Sequence, residues 1–190
     1  MTPHNQGDSG TVAINLAVRK ALRLPEGIVE GDLLLVVKNN YKAQCVDDPN
    51  ETVIIFNGER CTVIVAKQDF IDVEFSRNSE GVTRRVRLLS DDGKLPEGVA
   101  FGYAMSVHKA QGSQFSHVIA TTERGSKAVG IVQKSSIYTA CSRARNRLTV
   151  IGDVGDFVQA SLTPEIPRKT LLKELLTSRS RQTHDERVSS

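Results

Sequence analysis

"YTACSRARNRLTVIGD", residues 138–153, is the stretch that decides the fold class of this chain. It joins a segment of helical composition, 133–146, to "RLTVIGD" at 147–153, whose branched apolar residues are typical of a strand. A second strand-like run, "HVIATT" at 117–122, precedes the helix across a glycine-containing loop. Alternation of strand, helix and strand predicts an α/β layer with a parallel sheet.

Three further segments flank this layer. "VAFGYAMSVH" at 99–108 predicts a buried strand, and "TVAINLAVRKAL" at 11–22 has apolar residues at helical spacing before "LPEG" ends the helix. "IPRKTLLKELLTSR" at 166–179 predicts an amphipathic C-terminal helix, and the polar tail after it is expected to be disordered.

The middle of the chain has a different pattern. Short β-rich runs follow one another closely, at 32–39, 52–56, 61–68, 70–76 and 83–89. "NGE" at 57–59 and "NSEG" at 78–81 are typical of turns, and Asn-Gly is the stronger hairpin signal. Several short strands at this spacing predict a small antiparallel barrel over about 31–94.

The charge is concentrated in one window. The whole chain carries +3, but residues 101–150 contain seven basic residues against one acid, Glu123, which gives +6. Such a basic region favours an anionic partner such as phosphate or nucleic acid, while the alternative is a solvated face that balances acids elsewhere. The three cysteines form no C-x-x-C pair, which fits a reducing cytoplasm, and neither a signal peptide nor a membrane-spanning run is present in the sequence.

Two clusters of polar residues are candidates for a site. In "SVHKAQGSQF" the side chains of His108, Lys109, Ser113 and Gln114 surround Gly112 at the predicted end of a strand, where α/β proteins bind ligands. The alternative is a polar loop with a satisfied histidine. The second cluster is Arg143, Arg145 and Arg147. If the helix runs to Asn146, Arg143 and Arg147 share a face, and a half-buried arginine there needs either an anionic ligand or a structural carboxylate.

"YAMSVHKAQGSQF" followed by "YTACSRARNRLTVIG" resembles motifs V and VI of superfamily 1 DNA helicases of the RecD-like type. "GDLLLVVKNNY" and "VIIFNGERCTVIV" resemble the SH3-like barrel inserted in the second motor domain of that family, and "TPHNQGDSGTVAIN" resembles the start of that domain. The resemblance covers about residues 1–153. It implies a RecA-like half-motor at 1–30 and 95–165, an SH3-like barrel at 31–94, and a C-terminal helix and tail at 166–190.

The resemblance also implies roles for individual residues. Arg143 would be an arginine finger that reaches ATP held by another domain, and Gly112, Ser113 and Gln114 would lie near that nucleotide. Ser106, His108 and Lys109 would contact phosphates of single-stranded DNA. Three positions depart from the family pattern: Gln114 replaces a glutamate, Ser142 a threonine, and Cys61 a glycine.

The chain contains no G-x-x-x-x-G-K-[ST] loop and no strand that ends in Asp-Glu. We therefore expect ATP and Mg²⁺ to be bound only in a complete motor, with a first RecA-like domain from the same gene or a separate chain, and we expect no metal site and no ATPase activity in this chain alone. The expected function is the second motor domain of an ATP-dependent DNA helicase, moving 5′ to 3′ by resemblance. A catalytically inactive module that binds single-stranded nucleic acid or docks on a protein is the alternative, and a binding module centred on the barrel is a third.

Overall fold

The computed structural model describes residues 1–2, 5, 7–8, 10–76, 81–121 and 134–163. Within them the helices are α1 (Thr11–Ala21), α2 (Lys134–Ser142) and α3 (Val154–Leu162), with a 3₁₀ turn at His108–Ala110. The strands are β1 (Leu33–Val36), β2 (Asn40–Cys45), β3 (Thr52–Ile55), β4 (Arg60–Ala66), β5 (Phe70–Phe75), β6 (Arg84–Leu89), β7 (Val99–Phe101), β8 (Phe115–Thr121) and β9 (Ala144–Ile151). None of these helices is long and apolar enough to cross a membrane.

Seven strands form one antiparallel sheet in the order β3-β2-β6-β5-β4-β1-β7. Each of the five β-rich runs predicted from the sequence contributes a strand. The sheet also includes β7, which lies beyond the predicted boundary at residue 94, and β2, which the sequence pattern did not reveal. The strand β2 has only one fully buried residue, Ala43, so its sequence lacks the apolar alternation that marks a strand.

The turn at Asn57 and Gly58 is present, but the prediction that it closes a hairpin is wrong. Gly58 has a φ of 96°, which favours glycine, and the amide of Glu59 donates to the carbonyl of Phe56 at 3.1 Å. After the turn, the chain pairs with β1 and not with β3. Val36 of β1 exchanges two backbone hydrogen bonds with Gly58 and Glu59, each 2.9 Å long. The turn therefore joins strands that are not neighbours in the sheet.

The main core lies on the inner face of this sheet. Its twelve buried side chains come from β1 to β7, and each fully buried Val, Leu, Ile or Phe contributes about 1.5–3 kcal/mol of transfer free energy. They are Leu34, Val36, Ala43, Ile55, Cys61, Val63, Ile71, Val73, Phe75, Val86, Leu88 and Val99. Cys61, at the position where the resembling family has glycine, is one of these core residues, and burial raises the pKa of its thiol to about 12.

The second layer is parallel. The strands β8 and β9 pair in parallel from Phe115↔Ala144 to Thr121↔Ile151. The layer continues beyond β8 through the first residues of the chain, since the Thr121 amide donates to Met1 O at 3.0 Å. Thr2 in turn pairs in parallel with Ser106. This parallel pair with α2 and α3 confirms the α/β class, alongside the large antiparallel sheet.

The predicted strand at 99–108 is wrong over most of its length. Only Val99–Phe101 is a strand, and it pairs antiparallel with β1. The chain crosses β1 closely at Gly102, where an added Cβ would lie 2.7 Å from the carbonyl carbon of Leu34, and it leaves that sheet there. Residues 105–107 then run beside Thr2, with hydrogen bonds of 3.1 and 3.0 Å, and so reach the parallel layer after all.

The predicted boundary between the last helix and the last strand is also wrong. The helix ends at Ser142 rather than Asn146, and the strand begins at Ala144. The amide of Phe115 donates to Arg143 O at 2.8 Å, so pairing with β8 begins where another helical turn was expected. The helix α3 was not predicted from the sequence. It begins after Asp153, and the Oδ1 of Asp153 accepts hydrogen bonds from the amides of Gly155 and Asp156.

The helix α1 is fixed to the start of β1 and to the segment that follows β7 by buried polar contacts. Arg19 forms a buried ion pair with Asp32, and Tyr103 Oη donates to Asp32 Oδ1 at 2.7 Å. Asn15 Oδ1 accepts from the amide of Ala104 at 2.8 Å. A buried carboxylate that lost its arginine would be uncompensated, so these contacts hold the helix firmly in place.

Some predictions lie outside the described residues. These are most of the turn at 78–81, the loop that contains Gly125 and Gly130, the helix at 166–179 and the tail to residue 190.

Candidate nucleic-acid interface

The polar loop predicted from "HKAQGSQF" begins with the 3₁₀ turn His108–Ala110. Ala110 is buried and anchors the turn, His108 is exposed, and Lys109 is half-buried. Gly112 has a φ of 83° and no atom within 4 Å of the position that a Cβ would take, so glycine is needed there for conformation and not for space. The loop therefore presents His108 and Lys109 on the surface.

These two side chains line a cleft between the loop and the antiparallel sheet. The cleft has a volume of about 950 Å³ and an open mouth. Its charged walls are Arg60, Arg84, Lys109 and Glu59. Glu59 is paired with Arg84 at 2.7 Å, so the walls carry an excess of positive charge. A cleft of this kind attracts anions.

Partial burial affects the pKa of Lys109. Desolvation lowers its pKa below the ordinary value, and its Nζ donates to a neutral acceptor, Asn57 Oδ1, at 3.1 Å. Since no carboxylate neutralises the ammonium among the described residues, an anion in the cleft would stabilise its charged form.

Arg60 and Phe115 form the inner wall of the cleft. The Arg60 guanidinium lies 5.7 Å from the centroid of the Phe115 ring, within cation–π range. The Nε of Arg60 is buried and has no hydrogen-bond partner among the described residues. Arg60, Arg84 and Asn57 also line the cleft and were not predicted as site residues, although Asn57 lies in the "FNG" segment of the resemblance.

Arg143 lies at the junction of α2 and β9, beside the same loop. Its Nη1 donates to Ser113 O and its Nη2 to Ser142 Oγ, both at 3.2 Å. Its Nε is buried without a partner. Within the described residues no carboxylate pairs with it, and the side chain is half-buried. A guanidinium held by two neutral acceptors retains its charge for another ligand.

The other two arginines do not share the face predicted for a helix. Arg145 and Arg147 lie on β9, where the pairing with β8 shifts register between Ala144 and Arg147. The Nε of Arg145 donates to Gln114 Oε1 at 2.9 Å, and both side chains are exposed. Arg147 is opposite His117 in the parallel register.

The predicted site residues therefore divide into three groups. His108, Lys109, Ser113 and Gln114 line the cleft, and Arg143 adjoins it through its hydrogen bond to Ser113 O, while Gln114 accepts from Arg145. Ser106 is 6% exposed, because its backbone belongs to the parallel layer, and it does not line the cleft. The role of Ser106 as a DNA contact stays a prediction. Among the described residues no three His, Cys, Asp or Glu side chains form a metal-binding cluster.

The class of protein follows from comparison with known families. Residues 101–151, which contain the loop, β8, α2 and most of β9, match the UvrD-like helicase C-terminal domain. The resemblance to a superfamily 1 helicase C-terminal domain is thereby confirmed.

Two curated proteins are similar to the chain over most of its length. The ATP-dependent RecD2 DNA helicase of Deinococcus radiodurans is 27% identical over 182 residues, which is 92% of this chain and 22% of that protein. Protein MJ1519 of Methanocaldococcus jannaschii is 26% identical over 153 residues, 75% of this chain and 12% of that protein. The chain thus spans less than a quarter of either relative. Among solved structures, a Bacteroides Pif1 helicase bound to single-stranded DNA aligns with 82% of this chain and 35% of its own, at 16% identity and a TM-score of 0.46.

Proposed function

We propose that this chain is the second motor domain of an ATP-dependent DNA helicase, with a single-stranded DNA contact at the cleft and an arginine finger at Arg143. One observation carries the proposal. The loop His108–Gln114 presents Lys109 to a cationic cleft at one end and meets the carboxylate-free Arg143 at the other. One loop therefore lies next to both the cleft, where phosphates would bind, and Arg143, which pairs with no carboxylate among the described residues.

On the nucleotide side, the chain supplies only part of a site. Without a phosphate-binding loop, and with no acidic cluster among the described residues, the residues present do not fit ATP and Mg²⁺ by themselves. A first RecA-like domain must bring the nucleotide. Arg143 would then stabilise charge on the transferring phosphoryl group, a contribution often worth 10³–10⁵ in rate, with Gly112, Ser113 and Gln114 beside it.

On the nucleic-acid side, His108 and Lys109 would contact phosphate oxygens along the cleft. Such contacts position the strand without reading its sequence. Arg60 and Arg84 extend the positive wall across the antiparallel sheet. The 5′-to-3′ polarity rests on the resemblance to RecD-like enzymes.

The fold proposed for the two layers is RecA-like for the parallel layer and an SH3-like barrel for the antiparallel sheet. The short connection at residues 37–39 supports the barrel. It joins β1 to β2, which are separated in the sheet by β4, β5 and β6. A sheet must curve strongly for so few residues to bridge that gap.

A second candidate is a helicase-derived module that binds single-stranded DNA without contributing to ATP hydrolysis. The contact between Arg145 and Gln114 favours it, because Gln114 stands where the resembling family has a glutamate and its acceptor oxygen is already occupied. This candidate keeps the cleft and gives up the role of Arg143.

Fluorescence anisotropy of a labelled oligothymidine tests the DNA contact common to both candidates. We expect binding by the full chain to weaken steeply as salt rises, since phosphate contacts release counterions. Lys109→Ala should reduce the slope of log affinity against log salt by about one unit. The matched control is Lys67→Ala, an exposed lysine away from the cleft, which should leave the slope unchanged. Equal effects of the two variants, or no salt dependence, would contradict the proposal.

The Arg143 role needs a complete motor. In a chain that joins this domain to a first RecA-like domain, Arg143→Ala should remove most ATP turnover and spare DNA binding. Unchanged turnover would favour the second candidate.

A further inference from the structure

The outer side of the antiparallel sheet has an unusual exposed surface next to the cleft. Tyr41 and Phe56 are 61% and 49% exposed, and Ile54, on β3 two residues before Phe56, is 44% exposed. We call Tyr41, Ile54 and Phe56 the aromatic ledge. The chain has only nine aromatic residues, so two exposed ones, Tyr41 on β2 and Phe56 directly after β3, call for a physical reason.

The position of the ledge is fixed by a series of hydrogen bonds that ends in the cleft. Asn39 Nδ2 donates to Tyr41 Oη at 2.9 Å, and Asn39 Oδ1 accepts from the amide of Asn57 at 2.8 Å. Asn57 Oδ1 accepts from Lys109 Nζ at 3.1 Å. Three hydrogen bonds therefore connect the Tyr41 ring to Lys109, and Phe56 directly precedes Asn57. The ledge is thus the outer continuation of the cleft wall.

The charge beside the ledge indicates what occupies it. The cleft wall carries Arg60, Arg84 and Lys109 against the single acid Glu59. A ligand that covers both surfaces must have anionic groups on one side and flat apolar faces on the other. Single-stranded nucleic acid has that composition, because its phosphates and its bases alternate along one strand.

We propose that the aromatic ledge stacks bases of the single strand whose phosphates lie in the cleft, with Tyr41 and Phe56 as the stacking rings. The inference rests on the proposed DNA contact. It adds the ledge, which would contact bases, to the cleft, which would contact phosphates. Stacking on an aromatic ring accepts every base, so the ledge adds affinity without sequence preference. The bond from Asn39 holds the Tyr41 ring in place.

Comparison of two ligands separates stacking from phosphate binding. The full chain is titrated by anisotropy with oligothymidine and with an abasic oligomer of equal length and charge. Wild type should prefer the oligothymidine. Tyr41→Ala should weaken oligothymidine binding about tenfold, which corresponds to loss of one stacked base, and leave abasic binding and the salt slope unchanged. Phe56→Ala should act in the same direction.

Three controls fix the interpretation. Tyr41→Phe keeps the ring and loses the hydroxyl, so it should retain most of the affinity. Phe56→Leu keeps apolar volume but has no ring, so it should lose affinity for the oligothymidine. That result separates the loss of stacking from misfolding. Leu89→Ala removes exposed apolar surface outside the ledge and the cleft and should change little.

The outcomes that overturn the inference are distinct. Salt-dependent DNA binding without preference for bases would refute the ledge and leave the cleft intact. Equal loss of oligothymidine and abasic binding in Tyr41→Ala would show that Tyr41 acts through Asn39 and Lys109, which also refutes stacking. Absence of any DNA binding would refute the proposed function itself. Concentration-dependent self-association that Tyr41→Ala abolishes would assign the ledge to a second copy of the chain instead.

Discussion

Replacement of Arg143 by alanine should cost this chain little stability. The side chain makes two hydrogen bonds to neutral acceptors, Ser113 O and Ser142 Oγ, and both are long at 3.2 Å. A hydrogen bond of this kind contributes about 0.5–1.5 kcal/mol net. The buried Nε without a partner offsets part of that gain, because an unpaired buried donor is itself destabilising. The expected loss is therefore about 1 kcal/mol.

Arg19→Ala is the matched control, since it truncates an arginine that is structural. Arg19 is 6% exposed and pairs with Asp32, which is fully buried. Its removal leaves that carboxylate uncompensated and should cost roughly 3–5 kcal/mol. The two substitutions remove the same atoms, so the contrast between them measures the environment.

Thermal denaturation followed by circular dichroism gives the comparison directly. For a domain of this length, 1 kcal/mol shifts the midpoint by about 2–4 °C. Arg143→Ala should lie in that range, and Arg19→Ala should lower the midpoint by roughly 10 °C. A drop for Arg143→Ala as large as that for Arg19→Ala would mean that Arg143 is part of the scaffold, and the finger role would fail with it.

Two further predictions concern the core. Burial raises the pKa of Cys61 to about 12 in the folded chain, against about 8.5 for a free thiol. Between these two pH values only the unfolded chain loses the thiol proton. The free energy of unfolding should therefore fall as pH rises through this range. In the variant that combines Cys45→Ser and Cys141→Ser, Ellman's reagent should label Cys61 only after unfolding; fast native labelling would contradict the burial. Gly102→Ala should destabilise the chain by roughly 1–3 kcal/mol in urea titration, because its Cβ would lie 2.7 Å from backbone of Leu34; an unchanged midpoint would show that the two strands separate easily.

Local signals in the sequence located most elements and misplaced some boundaries. The apolar spacing of 11–22 gave α1, and the runs of branched residues gave most of the antiparallel strands. The end of α2 could not be found in this way. The residues after Ser142 are acceptable in a helix, and it is the hydrogen bond from the Phe115 amide to Arg143 O that favours a strand. That partner is distant in the sequence.

The same limit applies to the candidate site. The motifs placed His108, Lys109, Ser113, Gln114 and Arg143 in one neighbourhood, and the structure brings these residues together around one loop. Their roles stay predictions.

The opposite wall of the cleft was not found from the sequence. Arg60 and Arg84 come from strands of a different layer, and nothing in the local pattern relates them to Lys109. The burial of Ser106 was not evident from the local pattern either, because its backbone pairs with the second residue of the chain.

The pairing of β1 with β7 has a mechanical consequence. The chain departs for the antiparallel sheet along β1 and returns along β7, with Val36 opposite Val99. A module carried on two single strands could swivel, whereas a hydrogen-bonded ribbon resists twisting. Tilting the sheet must therefore displace Gly102 and Ala104. Because Ala104 is hydrogen-bonded to Asn15 of α1, the displacement is transmitted to that helix. In the proposed motor, force on the sheet from a DNA strand pulled through the cleft would therefore reach α1 as torque.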